Sequence, residues 1–323
     1  MSVVKALIER AFPGLVHARR MRRLGAREKE IRLLPLLCSD AKIAVDVGGN
    51  LGLYVHHFQK LCKSVVVFEP IPALQSYLRK RYRDVRVEGV ALSDSPGHAQ
   101  LRMPTGIYSW ATIATTNDLA LADPTDGLTS MEVPVRTLDS YALDGVGILK
   151  VDVEGHEESV LRGAIELLSR DKPNIVVEVE ERHNPGSVKR VSDFLSGLGY
   201  DGFYLRDADL VPIAEFRTER DQPMQNVGTS GKIGRYINNF IFVASDQSTR
   251  LQFGSRRLAS ELTIAQSSRT HLLKPSRLSI VAAMMGIATP ASVNVMIRIA
   301  DGCTCRPLSS PMRRPATTST CIT

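Results

Sequence analysis

Residues 43–52 read Ile-Ala-Val-Asp-Val-Gly-Gly-Asn-Leu-Gly, and the chain comes back to a carboxylate at Phe68-Glu69-Pro70. Ile43 to Val47 is a short apolar run with β-branched side chains, which predicts a strand buried on both faces. Gly48, Gly49 and Gly52 free the backbone and remove side-chain bulk, so a ligand can approach the main chain. A helix that opens just after such a turn aims its free N–H groups at that ligand. Leu53, Tyr54, His57, Phe58 and Leu61 recur at helical intervals, and Ser64 to Phe68 reads as the next strand. That strand ends on Glu69, about twenty residues past the glycines, where a carboxylate can accept hydrogen bonds from both hydroxyls of a ribose.

The turn is not a dinucleotide fingerprint, which has Gly-x-Gly-x-x-Gly with its amides turned to a pyrophosphate. Here the pattern is Asp46-x-Gly48-x-Asn50-x-Gly52. Asp46 would repel a nearby phosphate and suits a cationic or amino-bearing ligand. S-adenosylmethionine carries a sulfonium and an ammonium, so the sign of charge favours it over NAD. The plainer alternative is a ligand-free turn, with Asp46 capping the helix and Glu69 in a surface ion pair.

A second acidic segment, Leu149-Lys150-Val151-Asp152-Val153-Glu154-Gly155-His156-Glu157, lies about a hundred residues on. A strand there delivers Asp152 to the carboxyl edge of an open α/β sheet, where ligands bind. Glu154 follows in a turn that Gly155 keeps tight. Glu157 and Glu158 fall in the first turn of a helix, where the dipole favours negative charge, and that accounts for them. Asp152 and Glu154 precede the helix; they serve as N-caps or as functional carboxylates. The candidates for a general base are Asp152, Glu154, His156 and His183, with Glu154 or His156 preferred and Asp152 structural or in contact with the cofactor. His183 follows Glu178-Val179-Glu180-Glu181 at another strand end. A divalent cation on Asp152, Glu154 and Glu178 is chemically conceivable, but nothing in the spacing demands it, and none is assigned.

Beyond these segments the pattern alternates. Helix 72–81, strand 85–92, strand 132–136, strand 147–152, helix 156–169, strand 174–179 and helix 187–198 predict right-handed crossovers and a parallel sheet. Residues 200–205, 209–213 and 239–244 read as closing strands, at least one antiparallel. Residues 104–130 break the pattern as a long loop or short helices. It holds Tyr108 and Trp110, which either shape a substrate site or plug the loop into the core. At the N-terminus Val4, Leu7, Ile8, Ala11, Phe12 and Leu15 share a helical face over residues 3–16. Residues 17–32 are basic, with Arg19, Arg20, Arg22, Arg23 and Arg27. A docked helix with a solvated charged face is the simpler reading; attachment to an anionic membrane surface or an acidic substrate is the sharper one.

The 323 residues carry a net charge of +7, but it is unevenly placed. Residues 1–246 hold 31 Lys+Arg against 32 Asp+Glu, and residues 247–323 hold 10 against 2. The basic character therefore belongs to the tail, and no nucleic-acid-binding motif accompanies it. Cys38 and Cys62 sit in apolar contexts as buried thiols. Cys303, Cys305 and Cys321 lack zinc spacing, and the odd total argues against a disulfide scaffold. Charges at Lys5, Glu9 and Arg10 interrupt any signal-peptide core, so the expected compartment is the cytoplasm. Leu278 to Ala300 is apolar on average but interrupted by Ser279, Pro290, Asn294 and Arg298, unlike a spanning helix. The expected organisation is an N-terminal helical and basic segment over 1–39, a catalytic domain over 40–245, and a tail of low order over 246–323.

Taken in order, Asp-Val-Gly-Gly-Asn-x-Gly-x-Tyr at 46–54, Val-Phe-Glu-Pro-x-Pro at 67–72, Ala-Leu-Ser-Asp at 91–94, Thr-Leu-Asp-Ser at 137–140 and the segment at 149–157 resemble the FkbM family of S-adenosylmethionine-dependent methyltransferases. The resemblance spans about residues 40 to 245. Gly49 departs from the more frequent alanine, and His156 likewise stands where alanine is common. The resemblance implies an α/β, doubly wound, Rossmann-like class I methyltransferase sheet of seven strands, mostly parallel, one antiparallel near the end. It implies S-adenosyl-L-methionine held by Asp46, Gly48, Gly49, Asn50, Gly52, Glu69, Pro70, Ala91, Leu92 and Asp152. It also implies O-methylation of a hydroxyl on a sugar, glycan or polyketide-like product. The rival readings are an NAD(P)-dependent oxidoreductase, disfavoured by Asp46 and by the lack of a Tyr-x-x-x-Lys pair, and a non-catalytic cofactor-binding protein. The expected partners are a small-molecule or glycan acceptor, with no nucleic acid and no integral membrane segment.

Overall fold

The structure, a computed structural model, describes residues 13–38, 42–117, 119, 127–207, 209–228, 231–232 and 234–248. All of them lie in the first of two units, Met1–Glu261 and Leu262–Thr323. The expectations for residues 3–12, for Leu278–Ala300 and for Cys303, Cys305 and Cys321 fall outside the described residues.

In chain order the elements are α1 (Pro13–Gly25), β1 (Ile43–Val47), α2 (Leu53–Leu61), β2 (Ser64–Phe68), α3 (Pro72–Arg81), β3 (Arg86–Glu88), β4 (Ala91–Leu92), β5 (Gly97–Pro104), β6 (Leu128–Arg136), β7 (Val146–Val151), α4 (Glu157–Arg162), α5 (Ile165–Asp171), β8 (Asn174–Glu178), α6 (Ser187–Gly197), β9 (Tyr200–Arg206), β10 (Asp209–Pro212) and β11 (Asn239–Ala244). The main sheet has the order β10-β9-β11-β8-β7-β1-β2-β3. Strands β3, β2, β1, β7 and β8 are parallel, and β11 runs antiparallel to both β8 and β9. Leaving out β10, this is the expected seven-stranded class I sheet with one reversed strand. The β9–β10 hairpin adds an eighth, antiparallel edge strand.

Apolar side chains cover both faces of the sheet. Val45, Val47, Phe68, Leu149, Val151 and Val177 pack into one layer with Val160, Leu161 and Leu195. Ala44, Val67, Ile148, Val176 and Ile241 pack into the other with Val55, Phe58 and Leu78. This double burial is why β1 and β7 read as continuous apolar runs rather than alternating ones. The strand order reverses between β1 and β7, and the candidate site residues emerge at the carboxyl ends of β1, β2 and β7.

The sequence reading and the structure differ in three places. The expected strand 85–92 is two short strands: β3 ends the main sheet, and β4 joins a three-stranded sheet, β4-β6-β5. That second sheet includes β5, to which the sequence reading assigned no element; Leu101 and Met103 alternate inward and cluster with Val133 and Val135, while His98, Gln100 and Arg102 between the inward positions are polar. The expected helix 156–169 breaks at Gly163. A Cβ there would lie 2.0 Å from the Ser93 carbonyl oxygen, so this glycine lets the β4 end pass close by. The new start at Ile165 is capped from a distance by Asp139, whose carboxylate accepts the Glu166 amide (3.0 Å) and the Leu167 amide (2.9 Å).

Helix α1 docks through one histidine. His17 is 5% exposed; its two ring nitrogens lie 3.1 Å from Tyr77 Oη and 3.0 Å from Tyr82 Oη. Burial, with the charges of Arg81, His56 and Arg20, lowers the His17 pKa to about 4. The folded state therefore prefers the neutral ring, and the stabilisation it contributes is present above the unfolded value near 6.5 and lost as pH falls toward 4. Asp46 and Glu69, both raised, tilt the total stability the other way, so the effect is read as a difference. In urea unfolding, His17→Leu should cost more at pH 7.5 than at pH 5, by about 2 kcal/mol.

Candidate active site

The glycine turn after β1 is set by close backbone approaches. The Gly48 amide donates to the Phe68 carbonyl at 2.9 Å, and the Asp152 amide donates to Val47 at 2.9 Å. Gly48 has φ +86°, and a Cβ on it would stand 1.9 Å from the Asp152 carbonyl oxygen. No other residue fits there without moving the main chain. Gly52 has φ +75° and opens α2 against the Tyr82 ring, 2.5 Å from where a Cβ would be. Tyr82 Oη in turn donates to the Gly52 carbonyl at 2.9 Å, tying the turn to α3 and to His17.

Glu69 is 3% exposed, and each of its oxygens accepts one amide: Oε2 from Asn50 at 2.8 Å and Oε1 from Ile71 at 2.9 Å. Each oxygen keeps acceptor capacity for a ligand hydroxyl. Burial raises the Glu69 pKa to about 7 despite these two bonds. The alternative of a surface ion pair does not describe this buried side chain, and Glu69 lines a narrow cleft with Gly48, Asn50, Pro70, Ala91, Leu92 and Asp152.

A second cleft, about 480 Å³, opens beside it along Asp46, Gly48, Gly49, Asn50, Tyr54, Lys150 and Asp152, with Leu24 and Glu28 on the other wall. The two clefts share Gly48, Asn50, Tyr108, Ser109 and Asp152. Gly52 lines neither; it shapes the turn. Asp46 is 2% exposed, and its pKa is raised to about 7 by burial, against the pull of Lys150 and with a push from Glu69. The Val55 amide also reaches it, so Asp46 steadies the first turn of α2 while facing the cleft. Tyr54 is 6% exposed, and among the described residues its hydroxyl has no hydrogen-bond partner. A buried orphan hydroxyl on a cleft wall is unfavourable in isolation and points to a polar group that enters there.

Lys150 is the residue the sequence reading passed over. It is 1% exposed; its ammonium donates to Asn239 Oδ1 at 3.1 Å, lies 3.8 Å from an Asp152 oxygen and sits 5.0 Å from the centre of the Tyr54 ring. Burial works against its charge, but Asp152, Glu178, Glu28 and Asp46 outweigh burial and hold Lys150 above the usual lysine range. The signal was legible in principle: a lysine inside an otherwise fully apolar strand, β7, whose six residues are all buried.

A third cleft, also about 480 Å³, is lined by Trp110, Glu154, Glu178, Arg182, Asn238 and Asn239, and it shares Glu28 with the second. Trp110 thus faces a cleft rather than plugging the core. Glu154 has φ +54°, uncommon for a side-chain-bearing residue. Its carbonyl is clamped by Thr112 Oγ1 (2.8 Å) and Asn117 Nδ2 (2.9 Å), both from the loop after β5. This clamp holds the Glu154 carboxylate 3.4 Å from His183 Nε2. Burial, then Asp152, Glu178 and Glu180, raise the Glu154 pKa well above the usual carboxylate range. Burial and Arg182 lower His183 to about 3, so its ring is neutral. Asp152 is likewise raised by burial and by Glu178.

His156 stands apart. Its Nε2 lies 2.9 Å from Ser93 Oγ and it lines none of the three clefts. Glu157 binds the Gly155 amide at 2.8 Å and Glu158 pairs with Arg162 and Arg190, in keeping with their expected structural roles. Among the described residues no group of three or more His, Cys, Asp or Glu could hold a metal ion, and no helix is long and apolar enough to cross a membrane.

Residues 46–201 match the family described as Methyltransferase FkbM domain. No curated protein matches the chain by sequence. Among solved structures, an FkbM methyltransferase from Methylobacillus flagellatus KT is 16% identical with a TM-score of 0.40, the match covering 63% of this chain and 44% of that one. An rRNA methylase from Streptococcus thermophilus is 10% identical, TM-score 0.37, covering 67% and 94%. A putative methyltransferase from Streptococcus mutans in complex with SAH is 9% identical, TM-score 0.38, covering 67% and 96%. The chain thus spans under half the length of the Methylobacillus protein.

Gly49, where the resemblance makes alanine the commoner residue, offers a local test. A Cβ at Gly49 would lie 2.2 Å from Val67 Cγ1, in a fully buried position. Gly49→Ala should destabilise the protein by about 1–3 kcal/mol through overpacking. In thermal or urea unfolding, Val67→Ala should cost less in the Gly49→Ala background than alone.

Proposed function

We propose, from the premise that residues 46–201 form a methyltransferase FkbM domain, that the chain is an S-adenosylmethionine-dependent methyltransferase acting on an acceptor hydroxyl. A domain over residues 40–245 is supported by β11 (Asn239–Ala244), which pairs with β8 and β9 in the main sheet beyond the matched residues. The acceptor class is a sugar, glycan or polyketide-like product, as the family resemblance implies.

The observation that carries this reading is the adjacency of two chemically different clefts at one sheet edge. On one side Glu69 retains acceptor capacity for ribose hydroxyls, while Asp46 and the orphan Tyr54 hydroxyl suit the ammonium and carboxylate of an amino-acid end. These residues fit S-adenosylmethionine in shape and in sign. When bound, that cofactor supplies a methyl group already activated by a sulfonium. On the other side Glu154 faces a cleft wide enough for an acceptor. What remains for the chain is to align the acceptor oxygen and take its proton.

Glu154 is the base this arrangement favours over His156. The Thr112–Asn117 clamp orients it, and its raised pKa makes it a stronger proton acceptor near neutrality than a free carboxylate. The neutral His183 ring beside it, with Nε2 3.4 Å from a Glu154 oxygen, can orient the carboxylate by a hydrogen bond. Arg182 and Trp110 border the same cleft and would contact the acceptor.

Calorimetric titration of S-adenosylhomocysteine into the full chain tests the cofactor. Micromolar binding, lost in Asp46→Ala and Glu69→Ala, is expected; binding of NAD instead would replace the methyltransferase reading with the oxidoreductase one. Glu154→Gln should bind S-adenosylhomocysteine as the parent does and slow methyl transfer by about 10²–10⁴. His156→Ala should retain most of the rate. Full activity in Glu154→Gln would remove Glu154 from this role.

A further inference from the structure

We propose that the outward face of α1 seats this protein on an anionic phospholipid surface. The observation is the sorting of charge on the N-terminal segment. Arg19, Arg20, Arg22 and Arg23 are all exposed, while His17 and Met21 on the opposite face are buried. Helix α1 contains no acidic residue. The acids that follow the helix are engaged elsewhere: Glu30 is 7% exposed, and Glu28 accepts Asn239 Nδ2 at 2.8 Å.

An ordinary solvated helix interleaves acids at three- and four-residue spacing, which stabilises it. Here Arg19–Arg22, Arg19–Arg23 and Arg20–Arg23 place like charges at those spacings, which is mutually unfavourable. An external anion would offset that repulsion. The fold holds this face outward: on the other side of α1, His17 is buried, with Nδ1 3.1 Å from Tyr77 Oη and Nε2 3.0 Å from Tyr82 Oη.

Two features favour lipid over nucleic acid. Leu15 lies on the arginine face and is 55% exposed, an apolar side chain in the midst of cations. In the sequence it closes the helical-interval series Val4, Leu7, Ile8, Ala11 and Phe12. Apolar residues flanked by arginines are the composition of interfacial segments, which combine shallow insertion with attraction to anionic headgroups. A nucleic-acid surface would use the arginines and leave Leu15 without a role. The placement also has a consequence for catalysis. Leu24, at the end of α1, lines the second cleft, and Arg27 to Glu30 line the third. A protein seated on α1 has both mouths near the lipid surface, as suits an acceptor borne on a lipid.

The test is co-sedimentation of the full chain with vesicles of phosphatidylcholine alone and of phosphatidylcholine with about one-third phosphatidylglycerol. Binding is expected only to the anionic vesicles, weakened by added salt. Charge reversal at Arg19→Glu, Arg22→Glu and Arg23→Glu together should lower the affinity roughly a hundredfold or more, with S-adenosylhomocysteine binding and melting temperature unchanged. The glutamine versions at the same three positions should lower it less, and they serve if the glutamate variant fails to fold. Equal binding by parent and variants would overturn the proposal, because the basic tail would then be the anchor. So would failure to bind either vesicle, or binding to RNA with none to lipid.

Discussion

A single buried ammonium organises the working edge of this sheet. Lys150 rises from β7 into a pocket walled by Asp46 of β1, Asp152 just past β7, Asn239 of β11 and the Tyr54 ring of α2. Removing a lysine from water is costly, and a carboxylate cluster without a cation is costlier still. Each side makes the other tolerable. Through Asn239 the network continues to Glu28, so one charge connects three strands, a helix and the N-terminal segment. Burial raises Asp46 and Asp152 while Lys150 pulls both down, so the ammonium sets how much negative charge faces the second cleft.

From that constraint the division of labour follows. Asp46 in β1 and Glu69 past β2 face two adjoining clefts that share Gly48, Asn50 and Asp152, and backbone amides at Asn50 and Ile71 fix the Glu69 oxygens. Past β7 the chain turns sharply through Glu154 and Gly155, and that strained turn is held by the loop after β5. Strain of this kind persists only where surrounding contacts over-determine it, and here it aims one carboxylate at the third cleft. The β4-β6-β5 sheet thus acts as a support: it carries the loop whose Thr112 and Asn117 clamp the turn.

Much of this was legible from sequence because a few residues have only one physical use. Gly48 cannot carry a side chain beneath the Asp152 carbonyl, and a carboxylate at the end of β2 has the turn amides to bind. Apolar runs buried on both faces announce a parallel sheet. The misreadings have equally local causes. Residues 97–104 alternate too weakly to reveal a strand whose outer face is polar. Gly163 looks like a tolerated glycine within a helix until Ser93, seventy residues earlier, is placed against it. His156 and His183 are indistinguishable as candidates in one dimension; only the packing turns one to Ser93 and the other to Glu154. Lys150 was hidden by its own strand, since a run of buried residues invites one to read past the charge within it.

The measurement closest to the centre of this account is the pH dependence of S-adenosylhomocysteine affinity in the parent and in Lys150→Met. Asp46 and Glu69 titrate near pH 7 in the folded protein, so affinity should fall below that pH as they protonate. Lys150 pulls the Asp46 and Asp152 pKa values down. Without it the fall should move to higher pH, with part of the lost affinity recovered under alkaline conditions, and Lys150→Arg should restore most of the parent profile. An unchanged affinity and an unchanged profile in Lys150→Met would contradict the claim that this ammonium governs the charge of the site.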